Sequence, residues 1–132
     1  MDIVYKLGIR PSADEIIELY EDSGLPRPTG QKERIAMMYA NSNLIVSAWD
    51  GEKLVGISRS LTDSCWCCYL ADLAVNSAYK KMGIGKKLIE LTKEAIGPES
   101  MLLLLSVPTA MEYYPKLGLK KVDCAFMINR EK

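Results

Sequence analysis

Two largely apolar runs, Cys65–Val75 and Met101–Val107, bracket an amphipathic stretch from about Gly85 to Ile96, and no other feature narrows the fold as much. Runs of this kind read as strands buried on both faces. Strand, helix, strand in that order is a βαβ unit, which requires two parallel strands joined by a right-handed crossover. The helix in between has Leu88, Ile89 and Leu91 on its inner side and ends at Gly97-Pro98. An all-helical bundle is thereby excluded.

The residues before this unit point to antiparallel pairing. Leu44–Trp49 and Leu54–Leu61 are β-rich and flank Asp50-Gly51, a hairpin signal because both residues tolerate positive φ. Thr62-Asp63-Ser64 forms the next turn and leads into the long run from Cys65. Asp2–Leu7 reads as a first strand. After Pro11, Ser12-Ala13-Asp14-Glu15 is a capping box, followed by Ile16, Ile17, Leu19 and Tyr20 at helical spacing and a stop at Gly24. Leu25–Gly30, with two prolines, is a loop. Gln31–Asn41 is a second amphipathic helix with Ile35, Met38 and Tyr39 on one side. A short helix over Thr109–Leu117, a cap at Gly118 and a last strand over Lys121–Ile128 complete the expectation. The fold class is α/β: a mixed, mostly antiparallel central sheet with one parallel pair, flanked by about four helices, in one domain over residues 1–132.

Composition excludes several functions. A chain of 132 residues, 48% of them hydrophobic, can bury a core without staples. Seventeen Lys and Arg balance seventeen Asp and Glu, so the net field offers no pull on nucleic acid or anionic lipid. The apolar runs, Cys65–Ala71 and Met101–Leu105 among them, are all far short of the ~20 residues of a membrane span. There is no histidine, which removes His-based triads, His general bases and mixed His/Cys zinc sites. Cys65, Cys67 and Cys68 stand as C-x-C-C, unlike zinc-binding pairs, and Cys124 is remote in sequence. No metal site is expected. Asp2 lies early with no long apolar stretch behind it, so no signal peptide is expected and reduced, packed thiols in the cytoplasm are.

The sharpest chemical signal lies between the first apolar run and the helix: Lys80-Lys81-Met82-Gly83-Ile84-Gly85-Lys86-Lys87. Two glycines let a ligand approach the backbone, and the helix that starts there points free amides and its positive dipole end outward. Four lysines add charge, so an anionic ligand, most plausibly a phosphate ester, is implied. A P-loop fails: the positions for its first glycine and its Ser/Thr hold Lys80 and Lys87. A dinucleotide fingerprint fails too, because Leu88 occupies its third glycine position.

Leu73-Ala74-Val75, then Tyr79 through Gly85, then a helix with Leu88, resembles the acyl-CoA-binding segment of the GNAT superfamily of N-acetyltransferases. That family's pattern is Gln/Arg-x-x-Gly-x-Gly/Ala after a strand ending in an aliphatic residue. Lys80 stands where Gln or Arg is usual, at a position that often serves through its main-chain amide. Ala110-Met111-Glu112-Tyr113-Tyr114-Pro115-Lys116-Leu117-Gly118-Leu119 is similar to the family's second signature. The order of expected elements agrees over nearly the whole chain.

The resemblance implies an acetyl-CoA-dependent transfer to an amine. The main chain of about Lys81, Met82, Gly83, Ile84, Gly85 and Lys86 would hold the pyrophosphate. The strand ending at Val75 would splay from the one beginning near Met101, with pantetheine in the gap against Leu73 and Val75. Tyr114 matches the tyrosine that protonates the departing thiolate in many members. Its alternative is an aromatic filling the core beside Tyr113. Asp72, the one charge inside Cys65–Val75, is a candidate general base whose pKa burial would raise; pairing with a cationic substrate or with a lysine or arginine are the alternatives. Glu112 reads as a solvated helix residue. Arg27 and Arg59 could recognise a carboxylate, although isolated arginines are ordinarily surface groups. Acceptors range from small-molecule amines and amino-acid derivatives to protein lysines and N-termini, and domains of this fold often pair as homodimers. A non-catalytic acyl-CoA-binding or regulatory module is the alternative function.

Overall fold

The computed structural model describes residues 2–132. Four strands, β1 (Ile3–Leu7), β2 (Leu44–Asp50), β3 (Lys53–Thr62) and β4 (Cys68–Val75), form an antiparallel sheet in the order β1-β2-β3-β4. Between β1 and β2 lie α1 (Ala13–Ser23) and α2 (Lys32–Ala40); α3 (Ile84–Ile96) follows β4, and α4 (Tyr113–Lys116) is a single turn. The capping box forms as expected: Glu15 N–H donates to Ser12 Oγ at 3.1 Å, and Ser12 N–H donates to Glu15 Oε1 at 3.0 Å. The hairpin forms one residue later than expected. Asp50 pairs with Lys53, so Gly51 and Glu52 make the turn, with Gly51 at φ +61°.

Alternation along the strands separates two cores, one on each face of the sheet. Ile45, Trp49, Leu54, Ile57 and Ala74 pack against Ile16, Leu19 and Tyr20 of α1 and Ile35 and Tyr39 of α2. Val46, Ala48 and Val55 pack against Ile84 and Leu88 of α3. Gly56 sets how closely α3 approaches: a Cβ there would lie 2.9 Å from Ile84 Cγ2 and 3.2 Å from Leu88 Cδ1. The first turn of α3 is thereby held against the middle of the sheet.

Four expectations are corrected. The run from Cys65 does not enter the sheet until Cys68, because Asp63 accepts the N–H groups of Cys65, Trp66 and Cys67 at 2.9, 2.8 and 3.1 Å and folds them into a turn. Cys65 and Cys67 are therefore exposed, as is Cys124, and only Cys68 is packed. Met101–Val107 makes one parallel bridge, Leu103 opposite Tyr69, instead of a full parallel strand. Met101 N–H donates to Trp66 O, Leu103 N–H to Cys68 O, and Leu70 N–H to Leu103 O, at 2.8–3.0 Å. Lys121–Ile128 forms no strand, and Phe126 and Ile128 are fully exposed. Strand preference is mostly packing against neighbours, and with Met101–Val107 itself bridged only at Leu103 there is no formed strand beside it for this segment to join. The helix expected over Thr109–Leu117 shrinks to a 3₁₀ turn at Pro108–Ala110 and to α4. Pro115, with no N–H to give, fits only a helix's first turn, which forbids an earlier start. Gly118, at φ +92°, caps it by donating to Pro115 O at 3.1 Å.

Candidate functional site

The loop between β4 and α3 has the backbone that an anion site needs. Tyr79 is buried and hydrogen-bonds Asp50 Oδ2 at 2.6 Å, fixing the loop's entry to the β2–β3 hairpin. Lys81 (φ +70°) and Gly83 (φ +77°) are both left-handed, so the chain turns twice before the helix begins. Gly83 is the N-cap of α3 and no side chain caps it. The first-turn amides are therefore unanswered by any side chain, and Lys80, Lys81, Lys86 and Lys87 around them are all exposed.

The two glycines differ in purpose. A Cβ at Gly83 would meet nothing within 4 Å, so its requirement is conformational. Gly85 is buried, and a Cβ there would collide with the Tyr113 hydroxyl. The small residue at 85 thus makes room for the α4 aromatic, a packing reason that the spacing of the glycines did not disclose.

Tyr114 stands beside Tyr113 in edge-to-face contact, ring centroids 5.2 Å apart. It is half-buried and lines a cavity of about 1320 Å³ between the outer side of α3, residues 101–106 and the C-terminal segment. That cavity reaches Lys87 but neither Leu73–Val75 nor Lys80–Gly85. Its walls belong largely to a segment with no regular pairing, whereas the α3 start is defined by backbone conformation. Burial and the neighbouring Tyr113 raise the Tyr114 pKa, and the Arg27 charge partly opposes them. The phenol is accordingly protonated at neutral pH and able to donate.

Asp72 takes the alternative of pairing with arginine. It points to the α1/α2 face of β4, fully buried, and both oxygens are engaged. Arg27 Nε donates to Oδ1 at 2.5 Å, Arg59 Nε to Oδ2 at 2.6 Å, and the Tyr20 hydroxyl to Oδ2 at 2.7 Å. Tyr39 in turn hydrogen-bonds Tyr20. Burial pushes the Asp72 carboxyl up, but the two guanidiniums and Tyr20 outweigh it, and the net shift is downward. The upward shift expected of a general base is therefore reversed. Burial, with Tyr39 and Asp72, raises the Tyr20 phenol, keeping it a donor.

Arg27 and Arg59 are consequently not ordinary surface groups. Arg27 comes from the α1–α2 loop, and its Nη2 donates to Ala71 O at 2.8 Å. Ala71 is left without a partner on β3 by a register shift between Arg59 and Ser60, which frees that carbonyl. Sequence held one overlooked sign of this network: Arg59 is the single charge within Leu54–Leu61, as Asp72 is within its run. Two lone opposite charges in adjacent apolar strands are expected to meet, and they face each other across the β3–β4 pair.

Similarity to known proteins agrees with the fold. The family described as the acetyltransferase (GNAT) domain matches residues 22–129. A probable acetyltransferase of unknown function from Meticillin-resistant Staphylococcus aureus superposes with a TM-score of 0.80 at 19% identity, covering 96% of this chain and 99% of its own. A GNAT-family acetyltransferase of Streptococcus pneumoniae gives 0.72 at 24% identity, over 98% and 100% of the two chains. An aminoglycoside N-acetyltransferase bound to CoA gives 0.73 at 11% identity, over 99% and 96%. No curated protein sequence matches significantly. No helix among the described residues is long and apolar enough to cross a membrane.

Proposed function

The chain belongs to the GNAT acetyltransferase family, and we propose that its domain moves an acetyl group directly from acetyl-CoA to a primary amine. The observation that carries this reading is the uncapped start of α3, with Gly83 left-handed and four lysines around it. Main-chain amides over Lys81–Lys86 bind the pyrophosphate there. Beyond Leu70 the outer edge of β4 has no strand partner among the described residues, which leaves Leu73, Ala74 and Val75 open to the amides of pantetheine. This free edge supports a splay between β4 and the segment from Met101.

In the transfer, the amine nitrogen attacks the thioester carbonyl carbon, a C–N bond forms and the C–S bond breaks with its electron pair on sulfur. The Tyr114 hydroxyl, protonated at neutral pH, donates its proton to that sulfur. The amine's own proton leaves through water, which returns a proton to the Tyr114 phenolate. Asp72, with both oxygens occupied, acts here by holding Arg27 and Arg59, and direct proton abstraction by it is the weaker alternative.

The same engagement of Asp72 favours a second reading, a non-catalytic acyl-CoA-binding module, since it leaves the site without a free carboxylate base. Acetyl-CoA incubated with a panel of amines, read by released thiol, separates the two. Thiol release that needs both protein and amine supports transfer; acetyl-CoA binding without release on any amine supports the module.

A further inference from the structure

The Asp72 cluster does not balance its charge. Two guanidiniums share one carboxylate, and no other acidic group among the described residues forms an ion pair with either. Tyr20 and Tyr39 complete the cluster as neutral hydroxyls, so one positive charge is left over. A guanidinium with unanswered charge in a mostly buried setting is unfavourable unless an anion or solvent reaches it. The Arg59 side chain is only 11% exposed and that of Arg27 24%, so access is narrow.

The donors are also incompletely used. A guanidinium has five N–H groups in a fixed fork. Arg27 employs three, toward Asp72, Pro26 O and Ala71 O. Arg59 employs two, toward Asp72 and Ser42 Oγ at 3.1 Å, and its Nη2 donates to no protein atom among the described residues. Asp72 and the Ala71 carbonyl hold the forks rigid. A rigid fork with spare donors is suited to an oxyanion, which it can bind bidentately.

We propose that Arg27 and Arg59 form the acceptor-side anion subsite of this transferase, which selects an amine that also carries a carboxylate or a phosphate. This deepens the reading of the chain as an acetyl-CoA-dependent N-acetyltransferase and rests on it. Both arginines lie on the α1/α2 side of β4, opposite the face that α3 covers, and Arg27 is close enough to act electrostatically on Tyr114. An acceptor anchored there reaches the reacting centre from the side away from the α3 loop. Aminoglycoside-like polycations are selected against by the same charge.

The test compares matched pairs differing only in the anion: L-amino acids against their carboxamides, and O-phosphoethanolamine against ethanolamine. Each is measured by thiol release with acetyl-CoA, and by melting temperature with CoA present. The anionic member of at least one pair should be preferred by on the order of tenfold, or should alone raise the melting temperature. Which pair responds tells carboxylate from phosphate. Arg59→Lys, which keeps the charge and loses the free Nη2, should bring that preference toward unity, and so should Arg27→Lys. Should either variant fail to fold, the wild-type comparison decides by itself. Equal handling of both members of every pair, in a protein that acetyl-CoA stabilises, overturns the subsite. A protein that acetyl-CoA does not stabilise overturns the transferase reading instead. A preference that survives both lysine substitutions places anion recognition elsewhere and also overturns the proposal.

Discussion

Two groups of positive charge lie on either side of β4, and they are built in opposite ways. The lysines around the start of α3 are exposed, and each is solvated on its own. Arg27 and Arg59 are largely withdrawn from water and held by a carboxylate, two carbonyls and a hydroxyl. Solvated lysines cost the fold little, so they are free to serve a ligand. Withdrawn guanidiniums are part of the fold, and anything that disturbs their partner is felt as stability first. The loop lysines should therefore change acetyl-CoA binding with little effect on folding, whereas loss of the Asp72 carboxylate should be felt as stability before it is felt in any ligand the arginines hold.

Asp72→Asn tests that division most severely. It leaves two guanidiniums with no anionic partner, and we expect a loss of about 3–5 kcal/mol of stability, measured by denaturant unfolding. Because the folded carboxyl titrates below its ordinary value, its stabilisation is complete above the unfolded pKa and is lost as pH falls through the folded one. The wild type should thus weaken below about pH 4, and Asp72→Asn should lack that part of the acid dependence. A variant as stable as the wild type would show that the cluster is not structural.

Tyr114→Phe keeps the ring and removes the hydroxyl. Turnover should fall by roughly 10²-fold, the low end for general-acid help, with acetyl-CoA affinity unchanged. Unchanged turnover on an accepted amine would return Tyr114 to a packing role. On the loop side, Gly85→Ala drives a methyl into the Tyr113 hydroxyl and should destabilise by about 1–3 kcal/mol. Adding Tyr113→Phe should recover part of that loss, since the next nearest atom, Tyr113 Cζ, is 3.5 Å away. A strictly additive double variant would mean the two residues do not meet. The smallest effect belongs to Lys86→Ala, which should weaken acetyl-CoA binding roughly two- to fivefold in a salt-dependent manner while leaving stability unchanged. A loss of stability there would blur the contrast between the two clusters.

The loop was legible in the sequence because its signals are local. Glycines, lysines and the flanking strand and helix lie within a few residues, and each acts through its own backbone or charge. Asp72 was visible as an anomaly, yet its partners are 13 and 45 residues away, and only the β3–β4 register and the α1–α2 loop bring them together. Burial alone would raise its pKa, and the arginines that reverse the shift cannot be located from its own stretch of sequence. The turn at Cys65–Cys67 was missed because one carboxylate, Asp63, outweighs the β preference of the residues it binds. Met101–Val107 and Lys121–Ile128 have strand composition, but composition does not fix pairing: the first meets β4 at Leu103 alone and the second pairs with no strand among the described residues.

The central claim is that the start of α3 binds acetyl-CoA, and thermal unfolding of the wild-type protein with and without it is the most direct measurement. A ligand at about a hundred times its dissociation constant adds roughly 2.7 kcal/mol, so the melting temperature should climb with acetyl-CoA concentration. Gly83→Val, which forces a β-branched residue into a left-handed position, should remove that rise. A melting temperature unmoved by millimolar acetyl-CoA in the wild type, or a rise undiminished in Gly83→Val, would contradict the account.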